Sequence, residues 1–385
     1  PRLSWAVGME PVGGFGSDFK LSHALLGANQ DYESFFAALK MGPALAYEVA
    51  PGFTIGASAY ASYAQIRDFR MPFTLPTSAA KGVAGLVQLD PQHYPALFGQ
   101  VTELTAYGNS YDFAGWGWGG SLGFAWKPSD VLRVSASWSP RMKMDLQGAT
   151  AVIDMNTQFQ AVFAAMVQER MQNHGMGAAA AQGYIAQALG QAGMNLQLGA
   201  KSTYDAATEL SDPQTLGAGM SLKLSDRWRL GLEGVWMDWS AAASTMPFKM
   251  TNGDNANVNI LVNGDPSAAN FTYPFPLNWD DSFTGKAGLE FKATNTTTLR
   301  AGYLYGSNPV PDNTIFIAFP AISEQALTIG AGFALGGMSI ETSLVRALNS
   351  TVTGTSGPHL LGAEYRNSVT TMNQTVVTIG AVWKY

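Results

Sequence analysis

Between Leu132 and Leu146 the chain changes parity at every residue. Leu132, Val134, Ala136, Trp138, Pro140, Met142, Met144 and Leu146 fall on one side, and Arg133, Ser135, Ser137, Ser139, Arg141, Lys143 and Asp145 on the other. Successive side chains of a β-strand point to opposite faces, so this spacing predicts one unbroken strand with an apolar face and a charged face. The rule recurs. Met41, Pro43, Leu45, Tyr47 and Val49 share a side, and Phe53, Ile55, Ala57, Ala59, Ala61 and Tyr63 resume it after Ala50-Pro51-Gly52, which reads as a hairpin. Trp228, Leu230, Leu232 and Trp236 oppose Arg229 and Glu233; Phe283, Ala287, Leu289 and Phe291 oppose Lys286 and Glu290; Leu299, Ala301 and Tyr303 oppose Arg300. At the end Thr375, Val377, Ile379, Ala381, Trp383 and Tyr385 share a face. Such recurrence, with aromatic residues near segment ends, predicts an all-β fold, an antiparallel transmembrane β-barrel.

About twelve strands are expected, near 2–18, 33–49, 52–69, 109–126, 130–147, 207–224, 227–243, 281–294, 297–308, 323–335, 338–350 and 372–385. Tight links such as Lys127–Asp130, Leu224–Asp226 and Ala293–Asn295 alternate with long ones at about 70–108, 148–206, 244–280 and 351–371. That asymmetry is expected of a barrel with short periplasmic turns and extended outer loops. The long loop 148–206 is partly helical by its spacing. Thr157–His174 sets Phe159, Val162, Phe163, Met166, Val167 and Arg170 at helical intervals, and Ala178–Gly193 does the same with Tyr184, Ile185, Ala188 and Leu189. These helices either cap the barrel mouth or form a landing groove for a hydrophobic ligand, with Phe159, Phe163 and Met166 as candidate contacts.

Composition narrows the class. Of 385 residues, 46% are hydrophobic and only 13% charged, against roughly a quarter charged in ordinary soluble domains. No apolar run reaches the roughly 18 residues of a membrane-spanning helix, so the polarity must be hidden on alternate strand positions. A net charge of −6 with no Lys/Arg cluster gives nothing for nucleic acid to bind. Cysteine is absent, which is compatible with export, and His23, His93, His174 and His359 lack metal-ligand spacing. Neither a cofactor nor an enzyme activity is expected. The chain opens in mid-strand, with no signal peptide, and is read as a single barrel domain, 1–385, of a mature or truncated product.

Four passages resemble the FadL family of outer-membrane transporters for long-chain fatty acids and other hydrophobic compounds. They are Trp116-Gly117-Trp118-Gly119-Gly120, the stretch Trp138 to Gly148, Trp236-Met237-Asp238-Trp239-Ser240, and Tyr305 to Asp312 followed by Leu327 to Gly332. Their order and spacing cover nearly the whole chain. The resemblance implies a fourteen-stranded barrel with an N-terminal plug, so the plug and the first two strands are expected to be missing here, and Trp5–Phe19 to correspond to the third strand. It also implies passive uptake across the lipopolysaccharide layer of the bacterial outer membrane, by a monomer. The aromatic Tyr385 resembles the terminal signal read by the barrel-assembly machinery.

Candidate site residues follow. Pro11-Val12-Gly13-Gly14-Phe15-Gly16 places glycines inside a strand, which marks a bulge or bend. By the resemblance, Gly13, Gly14 and Gly16 would form a lateral gate releasing ligand into the bilayer. Arg133, Arg141, Lys143, Asp145, Arg229, Glu233, Lys286, Glu290 and Arg300 are expected to face inward, either paired with one another or meeting a ligand carboxylate, with Arg141, Lys143 and Lys286 the favoured cations. Asn308-Pro309-Val310-Pro311-Asp312 reads as a rigid strand end, with Ile315, Phe316, Ile317 and Phe319 beyond it as candidate pocket lining. The alternatives are a general porin and a receptor or scaffold barrel whose loops hold a protein.

Overall fold

The computed structural model describes residues 2–23, 25–76, 103–315, 317, 321–355 and 365–383. Its wall is crossed by twelve antiparallel paths at the twelve expected places. β1 (Leu3–His23), β2 (Gly27–Ala50) and β3 (Phe53–Pro76) are continuous. Each of the next four paths is broken once: β4 (Glu103–Tyr111) and β5 (Phe113–Trp126), β6 (Leu132–Ser139) and β7 (Met142–Asp154), β8 (Lys201–Asp212) and β9 (Thr215–Lys223), β10 (Trp228–Met237) and β11 (Thr245–Thr251). The eighth combines β12 (Phe271–Pro276) with β13 (Ser282–Lys292), and β14 (Thr297–Gly306), β15 (Gln325–Leu335), β16 (Met338–Thr353) and β17 (Val369–Trp383) complete the wall.

The breaks divide the wall into two storeys. At the end with the short turns the ladders run β1-β2-β3-β5-β6-β9-β10-β13-β14-β15-β16-β17. Above it a second run, β3-β4-β7-β8-β11-β12, continues six of the paths. β1 and β17 border the sheet, and among the described residues no ladder joins them. Crossing a bilayer takes about 9–11 strand residues. With 21 residues in β1 and 24 in each of β2 and β3, about half of each strand stands beyond the lipid.

Seven of the ten tryptophans are exposed, Trp118 at 78%, together with Leu45, Ile55, Leu122, Leu327, Ile329 and Ile379. An aqueous protein would not display so large an apolar exterior, whereas lipid demands it. Trp118 and Trp126 stand eight residues apart on β5, about 27 Å along the strand. Once tilted, that separation spans the roughly 25 Å apolar band between two aromatic girdles.

The packed core lies in the upper storey. Ile66, Phe113, Leu146, Ile153 and Tyr204 are buried there beneath helices α1 (Asn156–His174) and α2 (Ala178–Gln191), the two helices that the spacing predicts. α1 buries Met166, Val167 and Arg170, and α2 buries Ala181, Ile185 and Leu189. A third helix, α3 (Ala256–Asn263), falls in a stretch expected to be loop, as do β11 and β12. The Asn255 side chain caps α3 by accepting from the N–H groups of Asn257 and Val258. Asn257, fully buried, ties α3 to the segment after α2: its Nδ2 donates to the carbonyls of Asn195 and Gly199 at 2.7 Å each, and its Oδ1 accepts from Asn195 N–H at 2.8 Å. None of the described helices is long and apolar enough to cross a membrane.

The structure corrects the unbroken strand expected over 132–146. β6 stops at Ser139, and Pro140 and Arg141 lie outside any ladder, since proline offers no N–H for pairing. The interruption inverts the parity. Met142, Met144 and Leu146 are buried inside, so Lys143, 64% exposed, and Asp145 stand on the outer face instead of the lumen.

Candidate ligand cavity

Two different interiors result from the two storeys. Below, the inner face carries small residues on one arc, Ala44, Gly56, Ser58, Ser121, Gly123, Ser137 and Gly219 among them, leaving a chamber of about 770 Å³. The adjoining arc carries the charges, Arg133, Arg229, Glu233, Lys286, Glu290 and Arg300, around a further 560 Å³. Lys286 pairs with Glu233 on the neighbouring strand at 2.8 Å, and Arg300 bridges Glu290 on its neighbour at 2.9 Å and, across β15, Glu341 of β16 at 2.5 Å, so this arc holds itself together by ion pairs between strands. The expected inward orientation holds for these six residues.

Above the chamber sits an apolar cavity of about 560 Å³ whose wall draws on strands far apart in the sheet. Val12, Gly13 and Phe15 come from β1, Phe36 and Ala38 from β2, Ile66 from β3, Met144 from β7, and Met237 from β10. Trp239 and Trp279 meet edge to face at 5.0 Å between centroids and close one side. The motif Trp236 to Ser240 explains how: Asp238 caps a single helical turn, Trp239–Ala242, by accepting from Ala241 N–H at 3.3 Å, and this turn swings Trp239, Ala242 and Ala243 inward. Glycine has the same purpose at Gly117, where an added Cβ would lie 2.5 Å from Met144 Cγ. Its absence lets β7 lie against β5 and turn Met144 into the cavity.

At the β1 side of the cavity the ladder slips. Pairing with β2 jumps from Pro11↔Leu39 to Gly13↔Ala38, leaving Val12 as the extra residue of a bulge. Phe15 packs on Phe36 with centroids 5.2 Å apart, and a Cβ on Gly13 would meet Phe36 Cε1 at 3.4 Å. The bulge predicted from the glycines is therefore present, and it forms part of the cavity wall.

The polar part of the wall went unnoticed in the sequence. Lys40, on the inner parity of β2, reaches Asp212 of β8 at 2.5 Å across the interior and lies 4.9 Å from the Tyr60 ring centroid. Directly opposite Lys40 on β3 is Ser62, only 1% exposed. Of the three favoured cations, none lines the cavity. Arg141 pairs with Asp238 at 3.4 Å above it, Lys143 pairs with Glu209 at 2.9 Å outside, and Lys286 belongs to the lower chamber. Phe159, Phe163 and Met166 pack in the core between α1 and the upper wall rather than on the cavity. Phe316 and Phe319 lie outside the described residues; Ile315 is buried with Val310 and Ile322 next to Trp279. Among the described residues no cluster of metal-ligating side chains occurs.

Comparison with known proteins agrees with this architecture. The Ralstonia pickettii toluene transporter TbuX superposes with a TM-score of 0.63 at 17% identity, over 100% of this chain and 79% of its own. The Pseudomonas putida toluene transporter TodX gives 0.63 at 17%, over 99% and 78%, and a Pseudomonas aeruginosa FadL homologue 0.63 at 14%, over 99% and 73%. At such identities the likeness is one of fold. No curated protein matches the sequence. The family model for outer membrane protein transport proteins (OMPP1/FadL/TodX) matches residues 2–352. Membership of that group assigns the barrel to outer-membrane transport and not to catalysis. The chain belongs to the OMPP1/FadL/TodX family of outer-membrane transport proteins.

Proposed function

We propose that the protein takes hydrophobic molecules from the outer face, holds them in the cavity beside Trp239 and Trp279, and releases them sideways at the β1 bulge into the outer leaflet. One observation carries the reading: the apolar cavity and the bulge at Val12 share a wall. Height supports it too. Lys40, Ser62 and Gly117 occupy one row of the ladders, flanked by the outward Trp116 and Trp118, so the cavity is level with the outer aromatic girdle. Molecules leaving there enter lipid, and transfer from an apolar cavity to hydrocarbon needs no energy source. Ion pairs in the lower chamber keep that route polar and unattractive to such a ligand.

The test is accumulation of labelled oleate and labelled toluene in cells lacking their own channels of this family, with the full-length gene supplied. Uptake of either supports the reading. The variant Gly13→Val, Gly14→Val, Gly16→Val keeps its barrel and loses uptake; full uptake by a correctly assembled triple variant refutes release at the bulge. The general porin reading predicts ion conductance instead, with no saturable binding of apolar ligands.

A further inference from the structure

The cavity's own chemistry narrows the ligand. Among the described residues its wall presents a single cation, Lys40, and one inward acid, Asp212; Glu209 stands opposite the outward Asp145 and turns its carboxylate away from the cavity. Lys40 is already engaged by Asp212 at 2.5 Å, and Glu209 by Lys143 at 2.9 Å. A carboxylate entering here would meet no unmatched positive charge among the described residues and would lie beside the Asp212 carboxylate, which makes burying it unfavourable. The wall does hold one unmatched neutral group. Ser62 Oγ is buried on the cavity with no hydrogen-bond partner among the described residues. A hydroxyl can donate or accept, and leaving it unpaired in an apolar wall is costly, so an oxygen on the ligand would relieve it. Size sets the other limit. An apolar cavity of about 150 Å³ already accepts benzene, so 560 Å³ is generous for one ring and suits a long chain or several rings. Met144, Met237 and Met246 give the wall side chains that adapt to such a shape.

We propose that the cavity is selective for uncharged, long-chain lipids carrying one hydrogen-bonding oxygen, such as fatty alcohols and esters, that Ser62 meets this oxygen, and that the Lys40–Asp212 pair excludes the corresponding carboxylates. This rests on the reading of the cavity as the transport site. A fatty acid then enters only as its protonated form, and its binding strengthens as pH falls.

The experiment is equilibrium binding of oleyl alcohol, oleate and 1-octadecene to the full-length protein in lipid nanodiscs at pH 8 and pH 5.5. At pH 8 oleyl alcohol binds at least about tenfold more tightly than oleate. Oleate gains on lowering the pH, and oleyl alcohol does not. Ser62→Ala reduces the ratio of oleyl alcohol to 1-octadecene affinity about threefold or more. Asp212→Asn, which releases Lys40, raises the ratio of oleate to oleyl alcohol affinity about tenfold. Oleate binding as tightly as oleyl alcohol at pH 8, or an unchanged ratio in Asp212→Asn, overturns the proposal while 1-octadecene binding leaves hydrophobic transport standing. Failure of all three ligands to bind a folded barrel overturns both.

Discussion

Gly117→Ala is the smallest change that tests how the cavity is built. The new methyl carbon would lie 2.5 Å from Met144 Cγ, 2.8 Å from the Lys143 carbonyl oxygen and 3.2 Å from Met142 Sδ. The methionine ends can rotate away, but the carbonyl belongs to β7, which is paired with β8 at Lys143↔Ser211 and Met144↔Leu210. β7 must therefore move as a strand or the wall must bow. Overpacking of this kind costs about 1–3 kcal/mol, and 2 kcal/mol lowers the folding constant about thirtyfold. The same shift withdraws Met144 from the cavity, so stability and ligand affinity fall together. Both are measurable on protein refolded into lipid vesicles, by urea unfolding followed through tryptophan fluorescence and by ligand titration. A Gly117→Ala protein with wild-type unfolding midpoint and wild-type affinity would refute the account of β7 lying against β5.

Three further outcomes follow from the same structure. Gly190→Ala, in α2 with nothing within 4 Å of the added carbon, raises stability by up to about 1 kcal/mol in the same urea assay. Asn257→Leu strands two carbonyls and one N–H that the side chain now satisfies; the upper storey loses about 2–4 kcal/mol, and limited proteolysis cuts first near Asn195–Gly199. At the exposed turn before β6, a hydrogen bond from Lys127 and then its charge hold the Asp130 carboxyl below its ordinary value. A lowered folded-state value means that the turn's stabilisation is present above the ordinary carboxylate range and is lost as pH falls through the lowered value. Lys127→Met moves the carboxyl titration, followed by NMR, upward and abolishes that dependence.

Alternation was a sufficient guide wherever lipid faces one side of the wall. Trp118, Leu122 and Trp126 on β5, or Leu327 and Ile329 on β15, must be apolar because the solvent outside them is hydrocarbon, and the period of two follows directly. Above the lipid that constraint lapses. β11 and β12 are short, face a packed interior on one side and water on the other, and include Pro247, Pro274 and Pro276, which read as loop. α3 was hidden for a related reason: Asn255, Asn257, Asn259 and Asn263 look like turn residues, yet they serve as cap and buried ties once the barrel surrounds them.

The site was harder to read because its position depends on where strands break. With alternation unbroken to Leu146, Lys143 would enter the lumen and Met144 would face lipid; one step of parity at Pro140–Arg141 exchanges them. That exchange is what turns a polar channel into an apolar cavity at this height. Below Pro140 the inner parity of the path is Ser135, Ser137 and Ser139, and above it Met142, Met144 and Leu146. Proline marked the spot in the sequence, but whether a break adds zero or one to the register is decided by the neighbours, here β8 on one side and the glycines of β5 on the other. The lumen therefore changes from wettable to greasy without any change in the period of the chain, and the boundary falls at the cavity, whose wall includes both Ser139 and Met144.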